Sequence, residues 1–154
     1  MGALPVMKFD DALENISLLA FDTAPIIYFV EANPNYDAVV TAIFKRIENG
    51  KITGITSVIS LTEVLIQPIR LQNQNLKLRY RDILQNSPNF FTKAIDASIA
   101  ERAAELRAKY NLRTPDALQI ATALENKCDA FLCNDKNLKK VVEIKVLILD
   151  EITL

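Results

Sequence analysis

The chain contains no histidine, and that absence closes off several chemistries together. Ser-His-Asp and Cys-His nucleophile systems, histidine-ligated zinc and histidine general bases are all excluded. The two cysteines, Cys128 and Cys133, are too few for a secreted disulfide framework or a structural zinc site. Cys133 sits in an apolar run and reads as a buried packing residue. No apolar stretch approaches the ~18 to 20 residues of a membrane span. The N-terminal M-G-A-L-P-V-M-K-F-D-D has neither the basic head nor the apolar region of a signal peptide. There is no strong excess of either charge: 18 basic against 19 acidic side chains give a net charge of -1. No overall field therefore draws the protein to a polyanion, which would need a local basic patch or metal ions. The expectation is a soluble protein of a reducing cytoplasm. Half of its 154 residues are hydrophobic, enough for one folded domain with a real core.

What is present alternates between strand and helix patterns. Short apolar runs at Leu18–Phe21, Ile52–Thr56, Phe90–Ile95, Ala130–Cys133 and Ile144–Leu149 predict five strands. Between them lie helical stripes: Val40, Ile43, Phe44 and Ile47; Ile99, Ala103, Leu106 and Tyr110; and Ala117, Ile120, Ala121 and Leu124. Ser57 and Asp96 read as N-caps, Thr23-Ala-Pro25 and Thr114-Pro115 as cap-plus-proline helix starts, and Pro68 as a helix end or kink. The pattern predicts an α/β fold with a mainly parallel sheet of about five strands between helical layers. Residues 1–16 read as an N-terminal extension, loose over Met1–Val6 with a short helix over Phe9–Ile16, and 17–154 as the main domain.

Four acids fall where such a sheet gathers ligands. Asp22 ends the first strand, Asp135 follows the fourth, Asp116 opens a helix, and Glu63 lies within two turns of a strand end. Each has an ordinary alternative. Asp22 can cap the next helix, Asp116 can complement a helix dipole, and Asp135 can be a turn residue. Glu63, between Ile59 and Ile66, is placed by spacing on an apolar stripe, where it would need a partner. Like charges in one pocket oppose folding unless a cation neutralises them. Carboxylates without histidine suit Mg²⁺ or Mn²⁺, whose retained waters serve phosphodiester hydrolysis.

The sequence resembles the PIN-domain family, and within it the small VapC-type toxins of toxin–antitoxin pairs. The resemblance runs from about Leu18 to Leu149 and rests on F-D-T-A-P-I-I-Y-F-V-E, T-S-V-I-S-L-T-E-V-L, R-T-P-D-A-L-Q-I-A-T-A-L and F-L-C-N-D-K-N-L. It implies a three-layer αβα sandwich and a Mg²⁺- or Mn²⁺-dependent endoribonuclease. The catalytic acids would be Asp22, Glu63, Asp116 and Asp135, with Asp22 and Asp116 as the metal ligands. Thr23, Ser57 and Asn134 would support them by orienting carboxylate or water. The resemblance also implies a homodimer and a cognate antitoxin. One departure is Cys133, which stands where the family commonly has a hydroxyl.

RNA contacts are expected from Arg70, Lys77, Arg79 and Arg81, and from Lys136, Lys139 and Lys140 beside the last acid, although an ordinary solvated face would look the same. The rival readings are a non-catalytic PIN module that binds RNA or a protein, and a single-strand DNA nuclease. An aspartyl-phosphate phosphatase would need a second acid two residues after Asp22, where Ala24 stands.

Overall fold

The computed structural model describes residues 6–154. Its elements in order are β1 Met7–Lys8, α1 Phe9–Ala12, β2 Leu18–Phe21, α2 Thr23–Val30, α3 Asp37–Glu48, β3 Thr53–Ser57, α4 Val58–Arg70 and α5 Gln74–Asn86. There follow β4 Phe90–Lys93, α6 Ala97–Tyr110, α7 Thr114–Glu125, β5 Ala130–Cys133, β6 Lys145–Ile148 and β7 Ile152–Thr153, with 3₁₀ turns at Lys136–Lys140 and Leu149–Glu151. Five strands form one parallel sheet in the order β4-β3-β2-β5-β6. All five expected strands are present, each within two residues of its expected bounds.

Side chains alternate across this sheet and so divide the core in two. Leu19, Phe21, Leu132 and Leu147 point to one face, against Ile26, Val40, Ile43 and Tyr80 from the helices α2, α3 and α5. Ala20, Phe131, Cys133 and Ile148 point to the other, against Ile99, Ala103 and Leu106 of α6 and Ala117, Ile120 and Ala121 of α7. The layers are helix, sheet, helix. Because both faces are covered, the central strands β2 (L-L-A-F) and β5 (A-F-L-C) are continuous apolar runs, whereas β3 and the edge strand β4 also carry polar residues.

Several local expectations give way to the structure. Thr23 and Thr114 are the first residues of their helices, and the N-cap positions fall to Asp22 and Arg113. Pro68 neither ends α4 nor leaves it: the helix runs on to Arg70 with the proline ring buried. A proline removes only one hydrogen bond, and apolar burial offsets part of that loss. The helix expected over Phe9–Ile16 closes at Ala12. Ala12, Leu13 and Ile16 are nevertheless buried in the first core cluster. Met7–Lys8 pairs in parallel with Ile152–Thr153, a small second sheet that the sequence pattern did not predict. The looseness expected of Met1–Val6 concerns, for residues 1–5, positions outside those described.

Gly54 on β3 has no room for a side chain. It pairs with Phe90, and a Cβ at Gly54 would lie 2.5 Å from Phe90 Cδ2 and 3.0 Å from Ile47 Cδ1. Phe90 is itself held against Phe21 and Phe44, so it has little room to yield. Gly54→Ala is expected to destabilise the fold by about 1–3 kcal/mol, the usual range for overpacking a core. Urea denaturation monitored by circular dichroism would read this as a lower midpoint at unchanged slope.

Candidate active site

In the order β4-β3-β2-β5-β6 the chain leaves β2 first toward one edge and later, through β5, toward the other. The carboxyl ends of β2 and β5 therefore flank the switch point where open α/β sheets hold ligands. Asp22 follows β2 directly. Its Oδ1 accepts the Thr23 amide at 2.9 Å, capping α2, while its own amide donates to the Leu132 carbonyl of β5. The residue is thus a helix cap, as the ordinary reading has it, and also the centre of an acid group. Burial, opposed by the Thr23 amide, together with the charges of Asp116, Glu63 and Asp135, pushes its carboxyl up to about 6.

A cleft of about 410 Å³ opens over this residue, lined by Asp22, Thr23 and Ala24 of the β2–α2 junction, Glu63, Ile66, Gln67 and Arg70 of α4, and Arg113 and Asp116 at the start of α7. Three of the four expected acids meet here. Asp135 stands outside the lining, exposed, with Oδ1 capping the following 3₁₀ turn through the Asn137 amide at 3.0 Å; it reaches Asp22 through its charge. A second concavity of about 340 Å³, between α3 and the β4 region, is lined mainly by Phe29, Phe44, Ile47, Pro88 and Phe90, with Glu48 as its single acid. Of these two, the acidic cleft is the one in which acids converge.

Glu63 is in the cleft for a different reason from the one its spacing suggested. The buried stripe of α4 is Ser60, Val64 and Pro68, whereas Glu63 is exposed and Ile66 is 42% exposed. Ile66 lies on the cleft, and Ile59 is only partly buried. What holds the carboxylate is Thr23, whose hydroxyl donates to Glu63 Oε1 at 2.6 Å.

Thr23 in turn belongs to a buried polar network that sequence reasoning missed. Ser57 caps α4 through the Ile59 amide and donates its hydroxyl to Gln119 Oε1 at 2.6 Å. Gln119 Nε2 donates to Ser60 Oγ at 2.7 Å and, more weakly, to Thr23 Oγ1 at 3.3 Å. Ser60 bonds Thr56 at 2.7 Å, and Thr56 donates to the Phe21 carbonyl at 2.9 Å. A carbonyl and a carboxylate only accept, so the Thr56 and Thr23 protons are committed outward and the direction of every bond is set. The signal in the sequence was a glutamine three residues after Asp116, on the inner side of an otherwise apolar α7. Gln119→Leu removes a partner from Ser57 and from Ser60 inside the core. The expected loss is about 1–3 kcal/mol, the range for stranding a buried polar group, seen as a lower thermal midpoint. Ser57 therefore supports Thr23 and Glu63 through Gln119 and makes no hydrogen bond to an acid. Asn134 is also engaged elsewhere: its Oδ1 accepts the Asp150 amide at 2.9 Å, and its Nδ2 reaches the Tyr28 hydroxyl at 3.5 Å. It ties the end of β5 to the C-terminal segment.

A family model described as the PIN domain matches residues 19–144. The chain is a PIN-domain protein. No curated protein sequence matches it. Solved structures similar to this PIN domain include a chain of VapBC2 from Rickettsia felis bound to a DNA fragment from its promoter (TM-score 0.67, 15% identity, 85% of this chain and 98% of that one). Others are a toxin–antitoxin complex from Klebsiella pneumoniae (0.67, 22%, 85% and 97%) and Mycobacterium tuberculosis VapC20, described as a sarcin-ricin loop cleaving toxin (0.64, 15%, 82% and 98%). At these identities the likeness speaks for the fold.

The donor set of the PIN domain suits a hard cation. The acids of the cleft, Asp22, Glu63 and Asp116, offer carboxylate oxygens only, and burial and the neighbouring acids raise the Asp22 carboxyl. Among the described residues no three such side chains converge into a ready-made cage. A loose set fits Mg²⁺ or Mn²⁺, which keep several waters and take few protein ligands. Cys133 does not add to the set: burial pushes its thiol up to about 12, and its Sγ sits 3.8 Å from the Asp135 carbonyl. Of the basic residues singled out from sequence, Arg70 lines the cleft. Lys77, Arg79 and Arg81 lie on α5, where only Lys77 and Arg81 share a face. Lys136 lies 3.9 Å from Asp150 and Lys139 2.8 Å from Glu151. Among the described residues no helix is long and apolar enough to cross a membrane.

Proposed function

We propose that this PIN domain is a Mg²⁺- or Mn²⁺-dependent endoribonuclease and the toxin of a toxin–antitoxin pair. The observation that carries the reading is the uncompensated carboxyl of Asp22, raised by burial and by three neighbouring acids at the mouth of a cleft that also holds two arginines. Asp22 and Asp116 would hold the cation, and Glu63, fixed by Thr23, and Asp135 would orient water beside it. When bound, a divalent cation lowers the pKa of an attacking water and offsets charge on the phosphodiester. Arg70 and Arg113, at the rim, guide the RNA backbone by phosphate contacts that carry no sequence information. The α5 residues Lys77, Arg79 and Arg81, with Lys136, extend that track. The similarity to chains of toxin–antitoxin structures supports a cognate antitoxin as partner; a homodimer and a cytoplasmic location belong to the reading as what the family resemblance implies.

The test is cleavage of end-labelled structured RNA and of single-stranded DNA with Mn²⁺, with Mg²⁺ and with chelator. Cutting of RNA that stops on chelation is the expected result. Preference for DNA would replace the substrate assignment, and no cutting together with no Mn²⁺ uptake would leave a binding module.

A further inference from the structure

The cleft carries its own cation. Arg113, the N-cap of α7, places Nε 3.1 Å from Asp116 Oδ2 and Nη2 3.4 Å from Asp116 Oδ1. Both oxygens of a ligand carboxylate are therefore taken by one guanidinium fork. The two partners differ sharply in exposure: the Asp116 side chain is 11% exposed and that of Arg113 is 76% exposed. The guanidinium thus covers the carboxylate from the solvent side, the side that a ligand arriving through the cleft would use. Among the described residues no other ion pair involves Asp22, Glu63, Asp116 or Asp135. Arg70, on the same cleft, pairs with none of them.

We propose that Arg113 is an exchangeable counter-ion of Asp116: it neutralises this carboxylate in the metal-free protein and must swing away before Asp116 can take a divalent cation. The inference rests on reading the cleft as a metal site. Three features make the exchange feasible. The Arg113 side chain is 76% exposed, so its guanidinium can leave the carboxylate for water without being stranded in the core. The Arg113 backbone is anchored, since its carbonyl accepts the Ala117 amide at 3.0 Å, so only the side chain needs to move. A guanidinium left beside a divalent cation would repel it, which drives the side chain outward. Once displaced, Arg113 stays on the cleft wall beside Arg70, in reach of a substrate phosphate. The arginine thus offsets one charge of the acid group without metal and becomes available to RNA with it.

Mn²⁺ titration calorimetry at pH 8, where Asp22 is ionised, separates this from a purely structural ion pair. Arg113→Gln is expected to bind Mn²⁺ about tenfold more tightly than wild type, because the competitor is gone. Arg113→Lys, which keeps the charge but loses the fork, is expected to fall between them. Arg70→Gln removes a cleft charge that does not touch Asp116 and is expected to shift affinity by less than about twofold. Unchanged or weaker binding by Arg113→Gln, or equal tightening by Arg70→Gln, overturns the exchange while leaving the metal site intact. No Mn²⁺ uptake by wild type or any variant overturns the metal site and the exchange together.

Discussion

Asp22→Asn and Asp116→Asn are each expected to reduce metal-dependent RNA cleavage by about a hundredfold or more, beyond the ~10–100-fold typical of losing a residue that merely supports a ligand. Asparagine keeps the size of the side chain and, at residue 22, an oxygen able to accept the Thr23 amide, so the cap of α2 survives. What goes is the negative charge. At residue 116 the Arg113 fork also loses its charged partner, and the guanidinium, 76% exposed, returns to water. Initial rates on labelled RNA, with circular dichroism to confirm folding, measure this. Glu63→Gln and Asp135→Asn are expected to have smaller effects, within ~10–100-fold, because Glu63 is bound to Thr23 and Asp135 acts from outside the cleft lining. Equal activity in wild type and both aspartate variants would show that cleavage arises elsewhere.

The second large effect is on stability, and it has the opposite sign. Without metal, Asp22→Asn is expected to make the protein more stable at neutral pH. The Asp22 carboxyl is raised from 3.8 to about 6 in the folded protein, so the folded state binds its proton more tightly than the unfolded state does. Below pH 3.8 the group is protonated in both states and contributes nothing. Between about pH 4 and 6 the unfolded chain ionises first, and stability falls as pH rises. Above pH 6 the full penalty is present, about 3 kcal/mol for a shift of this size. Removing it should raise the melting temperature at pH 7 by roughly 6–12 °C for a domain of this length. At pH 4 the difference should nearly vanish. Thermal melts of both proteins in chelator across pH 4–8 would show a gap that widens with pH, and a pH-independent gap would refute the assignment. Saturating Mn²⁺ should narrow or reverse the order at pH 7, because the wild type alone gains the full binding energy.

The acids illustrate two degrees of legibility in a sequence. Asp22 and Asp116 were visible because strand ends and helix starts are local signals, and a parallel sheet gathers its strand ends at one edge. Glu63 was visible from its place within two turns of a strand end and from the resemblance of T-S-V-I-S-L-T-E-V-L, but its surroundings were not. Its spacing from Ile59 and Ile66 pointed to the core, yet the buried stripe of α4 runs one residue later along Ser60, Val64 and Pro68. Helical periodicity reports that a helix has an apolar face. It does not report that a flanking isoleucine will lie at the rim of a cleft.

The sequence by itself determined the α/β class, all five main strands and the absence of any histidine chemistry, because alternation of apolar runs and the residue inventory are properties of the chain. Tertiary structure alone decided what each polar side chain meets. Ser57, Ser60, Thr23 and Gln119 lie up to 96 residues apart, and nothing local states that they share one buried network. The Arg113–Asp116 pair is only three residues apart, but that it closes the open side of a cleft depends on α4 standing opposite α7. The bridge between Met7–Lys8 and Ile152–Thr153 was invisible for the same reason. A two-residue strand has no period to read, and it exists only because the packed sheet brings both ends of the chain to one place.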